Sequence, residues 1–412
     1  MIKLLAPIII YIAIIFLPTQ LFSNKDGYKL SPEVLKNKKI GWYMTPLPII
    51  IYNTDNGIGY GLRMMVFNNG DKDDSYFEYT PFFYKLTAQF FQTTLGWQYH
   101  FIEADMPYFL KTKFRIKCRL VYERLLNANY FGYGSSASTL TNPNTGETYN
   151  SYENYFNNFL NDNKNNPLNY KFNKYTINRP HFNLDIYYNI NKFFKSLIGV
   201  EIKWTEVLSW KGKKFDTDDT KNVVSGPTFI DLDPRLGRFD QDGWLNSIKF
   251  GIAFDTRDYE PDPKNGFLID GTLKLAHSLL ESEVIYRRFA FNSRAFFTPI
   301  KNLTLAARLG YITSSGNIPF HELGVVSFFY NNKDTLGNNR TLRGYPMHRF
   351  IGNTMTLASL ELRYDIYELT PGSQRFKIKP IAFIETGRAF DHGSDPYKTI
   401  RNYKVGYGGG LV

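Results

Sequence analysis

Cysteine is almost absent: Cys118 is the single one in 412 residues. That excludes an internal disulfide and any metal site built on thiolates. Long apolar runs are missing too, because past residue 22 no stretch approaches the 18 or so residues a membrane helix needs. The six histidines (His100, His181, His277, His321, His348, His392) show no HExxH or paired spacing, so no metal site is expected. Gly408-Gly409-Gly410 lacks the following Lys-Ser/Thr of a phosphate loop, and strand kinks are its ordinary reading. Asp216, Asp218 and Asp219 suit calcium in principle, but a solvated acidic tip explains them as well. No Gly-x-Ser-x-Gly opens a helix. A lipid-exposed Ser/His pair is left open by sequence alone. The expectation is a protein that is not an enzyme and carries no cofactor.

Aromatic residues are abundant instead. They make up 17% of the chain, with 30 Tyr and 35 Phe, which suits strands and the interface girdles of a membrane barrel. The formal net charge is +11. One reading is solvated loops with a charged interior; the other is attraction to anionic lipid at a membrane rim. Nucleic acid is not expected as a partner, since the cations are scattered along strand-like runs rather than clustered.

The chain starts with Lys3, an apolar run from Leu4 to Leu17, and Ser23 before Asn24, which reads as a secretory signal peptide over 1–23. A retained membrane helix is the alternative. Residues 24–44 are too few for a separate domain and make a short periplasmic segment. The barrel domain is expected over 45–412, and it begins with a hairpin signal, Thr54-Asp55-Asn56-Gly57 between apolar runs.

Alternation with a period of two then dominates. In Phe114–Tyr122 one parity is Phe114, Ile116, Cys118, Leu120, Tyr122, against Arg115, Lys117, Arg119 and Val121. In Leu360–Ile366 it is Leu360, Leu362, Tyr364, Ile366, against Glu361, Arg363 and Asp365. So many charges on one face do not fit the inside of a soluble sandwich; they fit a polar lumen with the apolar parity facing lipid. Fourteen such runs are expected: 46–53, 58–68, 75–87, 89–101, 112–124, 175–190, 193–208, 245–257, 266–278, 282–297, 302–314, 353–367, 375–389 and 402–412. Long connections at 125–174, 209–244 and 315–352 all fall on one side, and the Asn-rich tract 139–166 is expected to be mobile. The last run stops inside a strand at Val412, as if the chain were cut short, so the first and last strands are not expected to pair in full.

Thr341-Leu342-Arg343-Gly344-Tyr345, late in the third long connection, organises the rest. Parity turns Glu361 of the twelfth run and Glu385 of the thirteenth inward, and the fork of Arg343 suits two carboxylates at once. Gly344 lets the backbone pass near the wall and Tyr345 wedges beside it.

Leu342-Arg343-Gly344-Tyr345 resembles the (V/L)RG(F/Y) signature of the sixth outer loop of the BamA/TamA-like outer-membrane family, the bacterial surface antigen family. Phe383–Arg388 is similar to its thirteenth-strand motif, with Glu385 where the family usually has Asp. Ser359–Tyr364 looks like its twelfth strand. Asp255-Thr256-Arg257-Asp258, with Pro263 and Gly266, resembles the turn after the eighth, and Asn129–Gly134 a third-loop motif. The resemblance covers residues 45–412 and implies an all-β, antiparallel transmembrane barrel, about 14 of 16 strands of it, with a long loop in the lumen. It implies a bacterial outer-membrane location, outer-membrane lipid around the barrel, and unfolded outer-membrane client proteins as partners. Two departures stand out: no room for a periplasmic POTRA domain before residue 45, and no final two strands. Three functions remain in view: assisting protein insertion or translocation, a passive porin-like channel, and a surface-exposed structural or adhesin-like barrel.

Overall fold

The computed structural model describes residues 30–411, except 54–55, 135–136, 138, 161–169, 214–223, 225, 237–241, 331–335, 338–339, 370–375 and 392–401. The expected signal segment, part of the first hairpin turn, and the Asp216, Asp218 and Asp219 tip lie outside the described residues.

One antiparallel sheet of sixteen segments dominates. In chain order these are β1 Trp42–Asn53, β2 Gly57–Asn68, β3 Tyr84–Thr93, β4 Trp97–Met106, β5 Phe114–Asn129, β6 Lys174–Asn178, β7 His181–Asn189 and β8 Phe194–Ser209. They continue with β9 Gly243–Trp244, β10 Ser247–Asp255, β11 Gly266–Ala276, β12 Tyr286–Ile300, β13 Leu303–Gly316, β14 Thr354–Tyr364, β15 Pro380–Phe390 and β16 Lys404–Leu411. Both β6 and β7 lie between β5 and β8, separated by Arg179-Pro180, because proline cannot donate to the ladder. Likewise β9 and β10 both pair β8 across the break at Leu245-Asn246. Sixteen segments therefore make fourteen crossings. No ladder joins β1 to β16 among the described residues.

The expected third and fourth runs need correction. Residues 77–79 form a 3-10 turn ahead of Pro81, and the hairpin turns at Thr94–Gly96 with Gly96 at φ +86°, so the strands are 84–93 and 97–106. The Asn-rich tract is corrected over 139–160, where Leu140, Tyr155, Phe159 and Leu160 pack into a buried cluster with Phe131 and Phe172; its end, 161–166, lies outside the described residues.

Side-chain parity sorts the two faces. Ile50 is 82% exposed and Ile252 67%, and Phe90, Ile102, Leu120, Ile198 and Leu362 share that outward face. Asp105, Glu123, Asp185, Lys249, Asp270, Lys274, Arg288 and Asn292 point the other way and are buried. An apolar exterior and a charged interior are the inverse of a soluble domain. The long connections after β5, β8 and β13 emerge at one end and the short turns at the other. Between them are two adjoining cavities, of about 1200 Å3 at the short-turn end and about 750 Å3 above it. Thr45 of β1 and Ile381 of β15 both line the larger one, so the sheet curls round to face itself.

Candidate functional site

The connection from β13 to β14 folds into this lumen. Its first arm carries a one-turn helix, α1, Phe320–Leu323, whose four residues are all buried. Glu322 is 0% exposed; its carboxylate accepts from Lys203 Nζ at 2.7 Å and from the Tyr286 hydroxyl at 3.2 Å, with Lys274 Nζ at 3.7 Å. Glu201 sits on the other side of both lysines, at 2.6 and 3.1 Å. Arg288, also fully buried, donates to the Val325 and Glu322 carbonyls and, through Nε, to Ser314 Oγ at 2.9 Å. The arm continues along the wall. Thr272 donates to the Ser327 carbonyl, Asp270 accepts the Phe329 amide at 3.0 Å, and Tyr187 donates to the Phe329 carbonyl at 3.2 Å.

The second arm holds the tip. Arg343 lies against β14 and β15: its Nη2 is 2.7 Å from Glu385 Oε1 and 2.9 Å from Glu361 Oε2. Its Nε also donates to Glu385 Oε1, at 3.0 Å, and its backbone amide to Glu385 Oε2, at 2.8 Å. Beneath the guanidinium the Phe383 ring lies 3.4 Å away, a cation–π contact. Glu361 is shared with Arg363 at 2.7 Å. The chain reverses through Leu342 at φ +48° and Gly344 at φ +98°, a backbone conformation that Gly adopts without strain. Tyr345 donates to the Val405 carbonyl of β16 at 3.2 Å. Opposite it a Cβ on Gly406 would sit 2.9 Å from the Arg343 carbonyl, so only glycine permits the approach.

The sequence-selected turn lies at the short-turn end. Asp255 takes a bidentate pair from Arg257, at 2.8 and 2.9 Å, and Lys195 Nζ at 2.9 Å; Tyr330 of the inserted loop is 3.4 Å away. Asp258 accepts the amides of Tyr259, Lys264 and Asn265 within 3.1 Å, closing the turn, and burial raises its carboxyl above the ordinary value against these donors. Gly266, at φ +104°, lies against the Thr256 carbonyl, which any Cβ would strike. Glu260 crosses the lumen to Arg115 with both oxygens, at 3.0 and 2.9 Å; burial works to raise its carboxyl, yet Arg115 and Arg257 hold it below the usual range.

So the structure brings Arg343, Glu385 and Glu361 together and places Gly344 and Tyr345 at the same tip; Asp255, Arg257, Asp258 and Gly266 form a separate network at the short turn, with Arg257 and Asp258 lining the larger cavity that Arg343 and Glu361 also line. Sequence reasoning missed Glu322 and its partners. The third-loop motif closes the long-loop end: the Asn129 amide donates to the Met347 carbonyl, Gly134 to the Ile351 carbonyl, and Tyr130 to Asp233, while Arg349 donates to the Ala137 carbonyl.

Residues 20–83 match a family described as a domain of unknown function (DUF5982), which spans β1 and β2. No curated protein matches the chain. BamA from Haemophilus ducreyi lacking POTRA domains 1–3 resembles it at 12% identity and a TM-score of 0.49 over 90% of this chain and 64% of that one. CdiB from Escherichia coli does so at 8% and 0.49, over 90% of this chain and 55% of that one. This chain thus spans less than two thirds of those structures, and at such scores the likenesses carry no argument of their own. Residues 106–412, from the end of β4 through β16 and including the whole Arg343 site, match the Omp85 superfamily domain, and the chain belongs to that superfamily.

Proposed function

We propose that this chain is a bacterial outer-membrane barrel that assists insertion or translocation of other proteins, acting by physical guidance rather than by enzymatic chemistry. The observation that carries the reading is the loop folded into the lumen and held by Arg343 on Glu385 and Glu361, within a chain of the Omp85 superfamily. An apolar exterior suits outer-membrane lipid, and the clients are unfolded outer-membrane proteins. A channel for passive diffusion fits less well, because third-loop and inserted-loop residues bond to one another across the long-loop end.

The test is reconstitution. Liposomes carrying the full chain are expected to speed the folding of a urea-denatured outer-membrane barrel over empty liposomes, and Arg343→Ala liposomes are expected to lose most of that gain. Equal folding rates with and without the protein, together with steady ion conductance that persists in Arg343→Ala, sink the reading in favour of a channel. Cell fractionation checks the location: recovery with the outer membrane is expected, starting near Asn24.

A further inference from the structure

At the short-turn end, one connection is built differently from its neighbours. Between β14 and β15, Tyr367–Leu369 pairs antiparallel with Phe376–Ile378 as a two-stranded ribbon. It lies beyond the sheet. On its β13 flank the ladder stops where Leu303 meets Tyr364, and the Asp365 amide donates to the Asn302 carbonyl at 2.9 Å. On its β16 flank the last pair is Pro380 with Leu411. Among the described residues the two arms therefore pair only with each other.

The ribbon has two unlike faces. Glu368 and Lys377 are direct register partners, 3.8 Å apart, and both line the larger cavity. Asp365 and Lys379 continue that charged face through Lys264 and Asp262. The opposite face is apolar. Tyr367 stands across from Ile378, and Leu369 across from Phe376. All four are exposed, Tyr367 at 58% and Phe376 at 49%, against 42% for Leu362 on the outward face of β14. Exposed Tyr364 and Ile366 join Leu362 to the ribbon along the same outer side. A free two-stranded hairpin is marginal in water, and a bare apolar face adds to that cost.

From this we infer that the ribbon is a membrane foot, its outer face sunk against lipid in the leaflet at the short-turn end. Charged side chains toward the lumen and apolar ones outward are the rule of a barrel wall, and the ribbon obeys it past the last ladder pair. A protein-binding surface would set a polar rim around its apolar centre, whereas this face runs into the lipid-facing belt without a break. The Tyr367 phenol suits the interface, where an apolar ring meets a wet hydroxyl. Three paired residues per arm carry the belt roughly 10 Å farther along the strands, or about 7 Å along the membrane normal at the usual tilt. Because β14 and β15 also carry Glu361 and Glu385, the foot ties the wall that holds Arg343 to the membrane. The inference rests on the reading of this chain as a membrane barrel.

The experiment places single cysteines labelled with the fluorophore NBD in the full chain, in a Cys118→Ser background, in phosphatidylcholine nanodiscs. Probes at Leu369→Cys and Phe376→Cys are compared with Leu362→Cys on β14 and with Lys301→Cys, exposed in the neighbouring β12–β13 turn. Doxyl-labelled lipid reports contact with the membrane, and iodide reports contact with water. Doxyl quenching at positions 369 and 376 is expected within twofold of position 362 and at least threefold above position 301, with iodide in the opposite order. Leu369→Asp should raise iodide quenching at Phe376→Cys at least threefold, while heat-modifiable gel mobility shows the barrel still folded. Iodide quenching at 369 and 376 equal to that at 301 overturns the inference. So does protection from both quenchers, which assigns the face to a protein partner or a second copy, and so does an unchanged signal in Leu369→Asp. Doxyl quenching absent at position 362 as well would overturn the membrane-barrel reading together with the foot.

Discussion

The inserted loop is held at two places that differ in kind. Its shoulder, Glu322, is wholly buried among Lys203, Lys274, Tyr286 and Arg288. Its tip, Arg343, keeps 18% of its side chain exposed and borders the larger cavity. The shoulder's partners come from β8, β11 and β12, the tip's from β14 and β15. A buried ion network is costly to assemble and far more costly to break, while a pair left partly open to solvent is weaker and more screened by salt. The comparison teaches a division of labour. The shoulder fixes whether the loop is inside at all, and the tip fixes where along β14 and β15 its end rests.

The largest effect is expected at the shoulder. Glu322→Ala leaves Lys203 and Lys274 buried with only Glu201 between them and should cost about 3–5 kcal/mol. Urea unfolding followed by gel mobility reads that loss, and Glu322→Gln should fall between, since it keeps an acceptor but not the charge. A wild-type midpoint in Glu322→Ala breaks the comparison outright.

Arg343→Ala comes next. Each charge-assisted contact it removes is worth ~1.5–3 kcal/mol before desolvation is subtracted. The strands should survive, and the loss should show as faster protease cleavage within 336–350. Arg343→Lys should restore only part of the protection, because an ammonium lacks the planar fork. Melting of the whole sheet would give the tip the shoulder's role.

Smaller still is the coupling between them. The two clusters share no partner among the described residues, so Glu322→Gln combined with Arg343→Lys should add to within about 0.5 kcal/mol of the single changes. A larger interaction energy would merge the two anchors into one unit. Least of all is salt: raising NaCl from 0.1 to 1 M should loosen the tip severalfold in amide exchange and leave residues 320–329 as they were.

These two anchors were not equally legible in the sequence. Arg343 stood out because it sits beside Gly344 and Tyr345 in a polar connection, and a strict period of two turned Glu361 and Glu385 inward. Glu322 lies in Phe320-His321-Glu322-Leu323, which reads as any short polar turn, and Lys203 and Lys274 lie 119 and 48 positions away. One signal was available: Glu201 and Lys203 share the inward parity of β8, and Lys274 that of β11, so two inward cations called for a second acid from elsewhere. The fourteen crossings were legible for the same periodic reason. The edges of β3 and β4 were not, because the aromatic run Tyr76–Phe83 imitates a strand that Pro81 and the 77–79 turn deny. Nor was the packing of 140–160, where asparagines between Tyr155 and Phe159 mask a buried aromatic cluster.

The central claim is that residues 336–337 and 340–350 lie in the lumen, bonded to the wall. Hydrogen–deuterium exchange on the wild-type protein in its membrane measures this directly, because the Arg343 amide donates to Glu385 and those of Gly337, Tyr345, His348 and Phe350 to carbonyls within the segment. Protection of that peptide by at least a hundredfold over an unstructured chain, lost in Arg343→Ala and partly kept in Arg343→Lys, is the expected result. Exchange of 336–350 in the wild type at the rate of a free coil, with the strands still protected, would contradict it.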